Sequence, residues 1–100
     1  MQKIIDGLIY DTLRAEVLAT ITNDLAEHDF SFYEETLYKT PNERYFIFGQ
    51  SGALGPYAVE GRAGCMIAGS NIVPMSSDEA VKWCIKHALL DVLEDEFDLG

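Results

Sequence analysis

The sequence predicts an α+β domain, an antiparallel β-sheet of about four to five strands packed against one C-terminal α-helix. Three observations predict it. Runs rich in aromatic and β-branched residues fill the chain as far as Pro74, bounded by the Gly, Pro, Asn and Asp residues that make turns. A capping box, Ser76-Ser77-Asp78-Glu79, then opens a stretch with helical spacing. Finally, 100 residues with 48% hydrophobic and 11% aromatic side chains suffice to close one core, and no repeat, linker or low-complexity tract divides residues 1–100 into separate units.

Lys3 to Asp11 is rich in Ile, Leu and Tyr around Asp6-Gly7, a tight-turn dipeptide. Thr12-Leu13-Arg14-Ala15 reads as a single helical turn, and Glu16 to Thr22, with Val, Leu, Ile and two Thr, as a strand. A continuous helix from Thr12 to Ala26 is the competing reading, because Leu13, Val17, Leu18, Ile21 and Leu25 recur at helical spacing. Phe30 to Lys39 and Tyr45 to Phe48 form a hairpin across the turn Thr40-Pro41-Asn42-Glu43-Arg44. In its first strand Phe30, Phe32, Glu34, Thr36 and Tyr38 face one way, and Ser31, Tyr33, Glu35, Leu37 and Lys39 the other. Both faces are mixed, so partial cover of the sheet is expected.

Six of the eight glycines, Gly49, Gly52, Gly55, Gly61, Gly64 and Gly69, concentrate in one loop. A short strand, Cys65 to Ile67 or Asn71 to Pro74, completes the sheet. The helix runs from about Ser77 to Leu93. Val81, Cys84, Ile85, Ala88, Leu89 and Val92 share the face expected to pack on the sheet, whereas Trp83, Leu90, Leu93 and Phe97 gather on nearly the opposite side. Two readings account for this second stripe. Either the sheet or glycine loop wraps the helix, or the helix ends near Leu90 and its tail turns back; alternatively Trp83, Leu90 and Phe97 form a homodimer contact, with Trp83 as the anchor.

Charge is the main functional clue. Seventeen acidic residues oppose 7 Lys and Arg, a formal net charge of −10. Ten of the acids fall between Asp24 and Glu35 or between Asp91 and Asp98. Such a field repels nucleic acid and membrane surfaces and attracts basic proteins. The candidate partner-binding residues are therefore Asp24, Glu27, Asp29, Tyr33, Glu34 and Glu35 in the first stretch, and Asp91, Glu94, Asp95 and Glu96 in the second. The same composition serves solubility alone. Between Arg44 and Ser77 only Glu60 is acidic, leaving that region near neutral.

The motifs of other chemistries are missing from the sequence. His28 and His87 are the only histidines, with no Cys-x-x-Cys or His-x-x-x-His spacing and no EF-hand loop around Asp24, Glu27 and Asp29, so neither metal nor cofactor is expected. Glu34 and Glu35, adjacent on a strand, project to opposite faces and cannot share a substrate proton. Gly49-Gln50-Ser51-Gly52-Ala53-Leu54-Gly55 lacks the Gly-Lys-Ser/Thr ending of a phosphate loop. Cys84 and His87, at i and i+3, are the one pair open to nucleophilic chemistry, and a core thiol beside a solvated imidazole is the plainer reading. Cys65 and Cys84 both lie among apolar neighbours and are expected to be buried, reduced thiols. No apolar run approaches the ~20 residues needed to cross a bilayer. The start, Met1-Gln2-Lys3-Ile4-Ile5-Asp6, lacks a basic n-region and a long apolar run, so a cytoplasmic, non-enzymatic protein is expected.

Several segments also resemble a family. Tyr10-Asp11-Thr12, Asp29-Phe30, Glu34-Glu35-Thr36-Leu37-Tyr38-Lys39-Thr40, Phe46-Ile47-Phe48-Gly49, Gly52-Ala53-Leu54, Tyr57-Ala58, Ile72-Val73-Pro74 and Glu79-Ala80-Val81-Lys82-Trp83 are similar, in order and spacing, to small proteins carried by prophages and other mobile elements of bacteria. The resemblance spans most of the chain. It departs where Gln50-Ser51 occupies a stretch that is more Gly-rich in similar proteins, and in a longer acidic tail. It transfers no catalytic residue. What it implies is an anti-defence role in a bacterial host, possibilities that include an anti-CRISPR protein masking a basic nucleic-acid surface of a CRISPR effector complex. The runner-up is a self-associating accessory protein of phage or plasmid physiology, and a small hydrolase using Cys84 and His87 comes third.

Overall fold

The computed structural model describes residues 1–99 and is α+β, with eight strands, a single 3-10 turn and two helices. Strands β1 (Gln2–Ile5) and β2 (Leu8–Asp11) pair as a hairpin in which Ile5 faces Leu8. Asp6 and Gly7 both take positive φ, 52° and 78°, the geometry of the two-residue turn that follows the strands' own twist. Thr12 to Ala15 makes the expected helical turn, with the Arg14 and Ala15 amides both donating to the Asp11 carbonyl.

The main sheet is antiparallel, in the order β3 (Glu16–Thr22), β4 (Tyr33–Lys39), β5 (Tyr45–Ser51), β8 (Gly69–Met75). Glu16 to Thr22 is thus a strand, and the competing helix does not form. Strand β4 begins at Tyr33, three residues later than the aromatic pattern from Phe30 implies, because residues 30–32 lie in a turn. The two short-strand alternatives both form, with different partners: β7 (Met66–Ile67) pairs with β6 (Val59–Glu60), and β8 completes the main sheet. Between β6 and β7 the 3-10 turn Arg62–Gly64 closes this small hairpin.

Apolar residues alternate along β5 and feed two cores. Tyr45 and Ile47 join Leu37, Ala80, Trp83, Cys84 and Leu93 beneath the helices. Phe46 joins Tyr10 and Ile72 beneath the β1–β2 hairpin, with Tyr38 and Phe48 packed alongside. There the Phe46 ring stacks on Tyr38 at 4.9 Å and meets Tyr10 edge-on at 5.6 Å, both favourable arrangements of ring quadrupoles. The mixed faces of the sheet therefore reflect cover from both sides.

Helix α1 (Ser77–Lys86) starts at the capping box, where the Glu79 amide donates to Ser76 Oγ and the Ser76 amide donates to Glu79 Oε1. It stops at Lys86, short of the expected Leu93. Ala88 takes a left-handed φ of 53°, and a second helix, α2 (Leu90–Phe97), departs in a new direction. This break resolves the two opposed apolar stripes. Trp83 is 7% exposed and Leu93 is buried, both in the helix-side core, and Phe97 packs on Tyr45 with ring centres 5.2 Å apart. The proposed dimer trio is corrected accordingly: of Trp83, Leu90 and Phe97, only Leu90 is exposed. Ile85, assigned to the sheet-facing stripe, points outward instead. The expectation of two buried thiols also needs correction, since Cys84 is buried but Cys65 is exposed in the β6–β7 region.

One carboxylate locks α2 to the sheet. Glu96 Oε2 accepts from Lys39 Nζ at 2.7 Å and from the Tyr45 hydroxyl at 2.6 Å. Burial opposes the Glu96 charge, but the bonds from Lys39 and Tyr45 outweigh it and hold its pKa below the ordinary range; the Lys39 pKa is raised, chiefly by its bond to Glu96. A depressed carboxylate pKa stabilises the fold above the unfolded-state value of about 4.3, and that contribution disappears as pH falls through the folded-state value. The Glu96→Gln variant should therefore show a shallower loss of stability below about pH 4.3, measured by urea unfolding across the acid range; an unchanged acid limb would assign that loss to other groups.

Candidate functional site

The first acidic stretch forms the connection between β3 and β4 (residues 23–32) at one end of the sheet. Side-chain bonds fix its base. Asn23 Nδ2 donates to the Ser31 carbonyl at 2.8 Å, and Asn23 Oδ1 accepts from the Tyr33 amide at 3.2 Å, closing the loop across its neck. Asp29 Oδ1 accepts from the Ser31 amide at 2.8 Å, the local turn that Asp favours. Asp24 sits at φ 62°, a conformation Asp tolerates better than most residues.

The glycine loop supplies the second support. The Gly52 amide donates to the Phe32 carbonyl and the Leu54 amide to the Phe30 carbonyl, at 2.9 and 2.8 Å. This contact requires glycine. A Cβ at position 52 would lie 2.5 Å from the Asp29 carbonyl oxygen and 2.6 Å from that of Phe30, inside any tolerable separation, and backbone cannot swing aside as a side chain can. The expected structural loop is thus the clamp on the acidic one.

Clamping presents a mixed surface. Asp24, Glu27 and Asp29 are exposed and enter no salt bridge among the described residues. Beside them Phe30 and Leu54, joined by their backbone bond, stand 69% and 73% exposed. Exposed carboxylates and exposed apolar side chains on two bonded loops can supply the elements of a protein-docking surface, an apolar anchor for affinity and charges for attraction and orientation. Phe30 and Leu54 were not among the sequence candidates. Phe30 reads as one more strand residue by alternation, and Leu54 lies 24 positions away in a loop.

The other candidate acids divide by task. Glu35 faces the helices, where Oε1 accepts from Trp83 Nε1 at 3.1 Å and Oε2 from the Tyr57 hydroxyl at 2.5 Å. Burial first, then the bond to Glu35, raises the Tyr57 pKa, keeping that phenol protonated as a donor. Glu34 lies on the opposite face, as alternation requires, and accepts from Gln50 Nε2 at 3.1 Å. Tyr33 is half-buried at the neck of the loop. These three belong to the scaffold, as does Glu96. Glu94 is exposed on α2, while Asp91 and Asp95 line a groove of about 410 Å³ with Glu16, Val17, Leu18, Val92 and Glu96. Glu16 stands outside both acidic stretches of the sequence, more than seventy positions from the acids it meets here.

Cys84 and His87 do not form the geometry of an activated nucleophile. Burial raises the Cys84 pKa and favours the unreactive thiol, while the His87 ring packs edge-on against Trp83 and its Nε2 has no hydrogen-bond partner. Among the described residues, no group of three or more His, Cys, Asp and Glu is placed to hold a metal ion, and no helix is long and apolar enough to cross a membrane. Comparison with protein-family models, curated proteins and solved structures finds no match to this chain.

The Gly52→Ala variant should lose about 1–3 kcal/mol of stability, the usual cost of forcing extra volume into a packed site. It should also speed hydrogen exchange at the two amides that donate across the clamp, those of position 52 and Leu54. Exchange unchanged at both positions would mean that the clamp is dispensable.

Proposed function

We propose that this protein is a non-enzymatic inhibitor that docks on a basic protein surface, an anti-CRISPR that masks the nucleic-acid-binding face of a CRISPR effector complex in the bacterial cytoplasm. The clamped loop supports the reading: among the described residues its exposed Asp24, Glu27 and Asp29 enter no ion pair, and Phe30 on the same loop and Leu54 on the loop bonded to it are exposed. Lysines and arginines that otherwise hold phosphates would meet these carboxylates, giving rapid, salt-sensitive association. The family resemblance supplies the defence context, and the net charge of −10 supports a protein partner over nucleic acid.

The test is phage plaque formation on hosts carrying active CRISPR systems, with and without the protein. Plaques should rise by orders of magnitude with the native chain. Reversal of Asp24, Glu27 and Asp29 to Lys together should abolish the gain, Phe30→Ala should weaken it at least about tenfold by loss of an interface anchor, and Glu60→Lys should leave it intact. Equal protection by the triple variant would rule out this loop as the docking surface, and no protection by the native chain across several system types would overturn the function.

A second reading, self-association in phage or plasmid physiology, has one observation in its favour. Ile4 and Ile9, direct partners across β1 and β2, are 70% and 57% exposed on the outer face of the hairpin. If two copies meet there, sedimentation should show a concentration-dependent dimer that Ile4→Lys disperses; a monomer at all concentrations would dismiss the second reading.

A further inference from the structure

The two borders of the main sheet differ. Strand β8 forms one border, where Pro74 has no amide hydrogen to offer and Asn71 Oδ1 accepts from Lys3 Nζ of the β1–β2 hairpin at 2.7 Å. Both features blunt that edge against further pairing. Strand β3 forms the other border and, among the described residues, pairs with β4 alone. Its ladder is irregular between Val17 and Ala19, then runs unbroken from Ala19 to Thr22. An edge of this kind leaves alternate backbone amides and carbonyls facing outward, a template for one more strand.

The surroundings of β3 select what would pair there. The groove beside its first half has apolar walls at Val17, Leu18 and Val92 and acidic ones at Glu16, Asp91 and Asp95, and Val17 is 54% exposed. Asp24 follows the strand's far end. Acids thus flank the regular run on both sides. A second copy of this chain would bring the same acids against them, and like charges facing across a strand pair are destabilising. An extended segment in which Lys or Arg alternates with apolar residues meets the opposite condition, because side chains at every second position share a face.

We propose that the β3 edge binds a basic, extended segment of a partner protein by strand addition, with its main chain pairing along Ala19–Thr22 and its cations meeting Glu16, Asp91 and Asp95 at one end and Asp24 at the other. The proposal rests on the docking function for the basic character of the partner; the pairing mode is additional to it. Main-chain bonds give the segment direction and register, and the carboxylates select its charge.

The probe is an eight-residue peptide of alternating Lys and Val, capped at both ends and added to the isotope-labelled full chain. Its amides at alternate positions are methylated in a matched control, which keeps charge and shape but removes donors. Strand addition predicts that the peptide slows hydrogen exchange of β3 amides, that methylation weakens binding at least about tenfold through lost backbone bonds, and that Asp91→Asn with Asp95→Asn weakens it several-fold. Equal binding of the methylated peptide, or resonance shifts confined to residues 24–30, would overturn strand addition. Either result leaves charge-driven docking standing, whereas a protein that binds the peptide at β3 but fails the plaque test keeps this inference and loses the proposed inhibitor role.

Discussion

Strand β5 is the constraint on which the architecture depends. Four consecutive residues, Tyr45, Phe46, Ile47 and Phe48, send large side chains alternately to the two faces, so neither face can be left to water. One core is closed by α1 and α2, the other by the β1–β2 hairpin. Because Phe46 and Ile47 are each almost wholly buried, neither cover is ornamental: loss of either would return a large ring or a branched chain to solvent. The pairing partners of β5 then set where everything else goes, with β4 carrying Glu35 and Leu37 inward and β8 carrying Ile72 to the hairpin side.

The strong acidity of this protein is partitioned by that framework. Glu35 joins the helix, through Trp83, to the glycine loop, through Tyr57, and Glu96 joins α2 to β4 and β5 through Lys39 and Tyr45. Both carboxylates sit within packing, satisfying polar groups that burial would otherwise strand. Asp24, Glu27, Asp29, Asp91, Glu94 and Asp95 remain outside. Asp6, Glu43, Glu60, Asp78, Glu79 and Asp98 are exposed on other elements as well, so the framework withdraws a few carboxylates from the surface and leaves the remainder distributed over it.

Much of the fold is legible in the residues because local rules act alone there. The Asp6-Gly7 turn, the β4–β5 hairpin across Thr40 to Arg44 and the Ser76–Glu79 cap each depend on a few adjacent positions. The break at Ala88 is not legible, since no Gly or Pro marks it and Ala is the strongest helix former; the clue is indirect, in apolar stripes that no single helix can bury. The candidate site is legible by half. Charge density points to Asp24, Glu27 and Asp29, but the separation of Glu34 and Glu35 into scaffold, and the meeting of Phe30 with Leu54, depend on pairing between distant segments. Cys65 misleads for a related reason: its apolar neighbours Met66 and Ile67 lie in a small, half-open hairpin with too little mass to cover them.

Support and outward charge are held by different residues at the clamped loop. Asn23 and Gly52 determine its path, through a side-chain bridge and a backbone approach, while the outward groups at 24, 27 and 29 take no part in the clamp except for one oxygen of Asp29. The outward charges can consequently be exchanged one side chain at a time over an unaltered chassis. Charge at the rim is thus separable from the loop's path, which depends on two inconspicuous positions behind it.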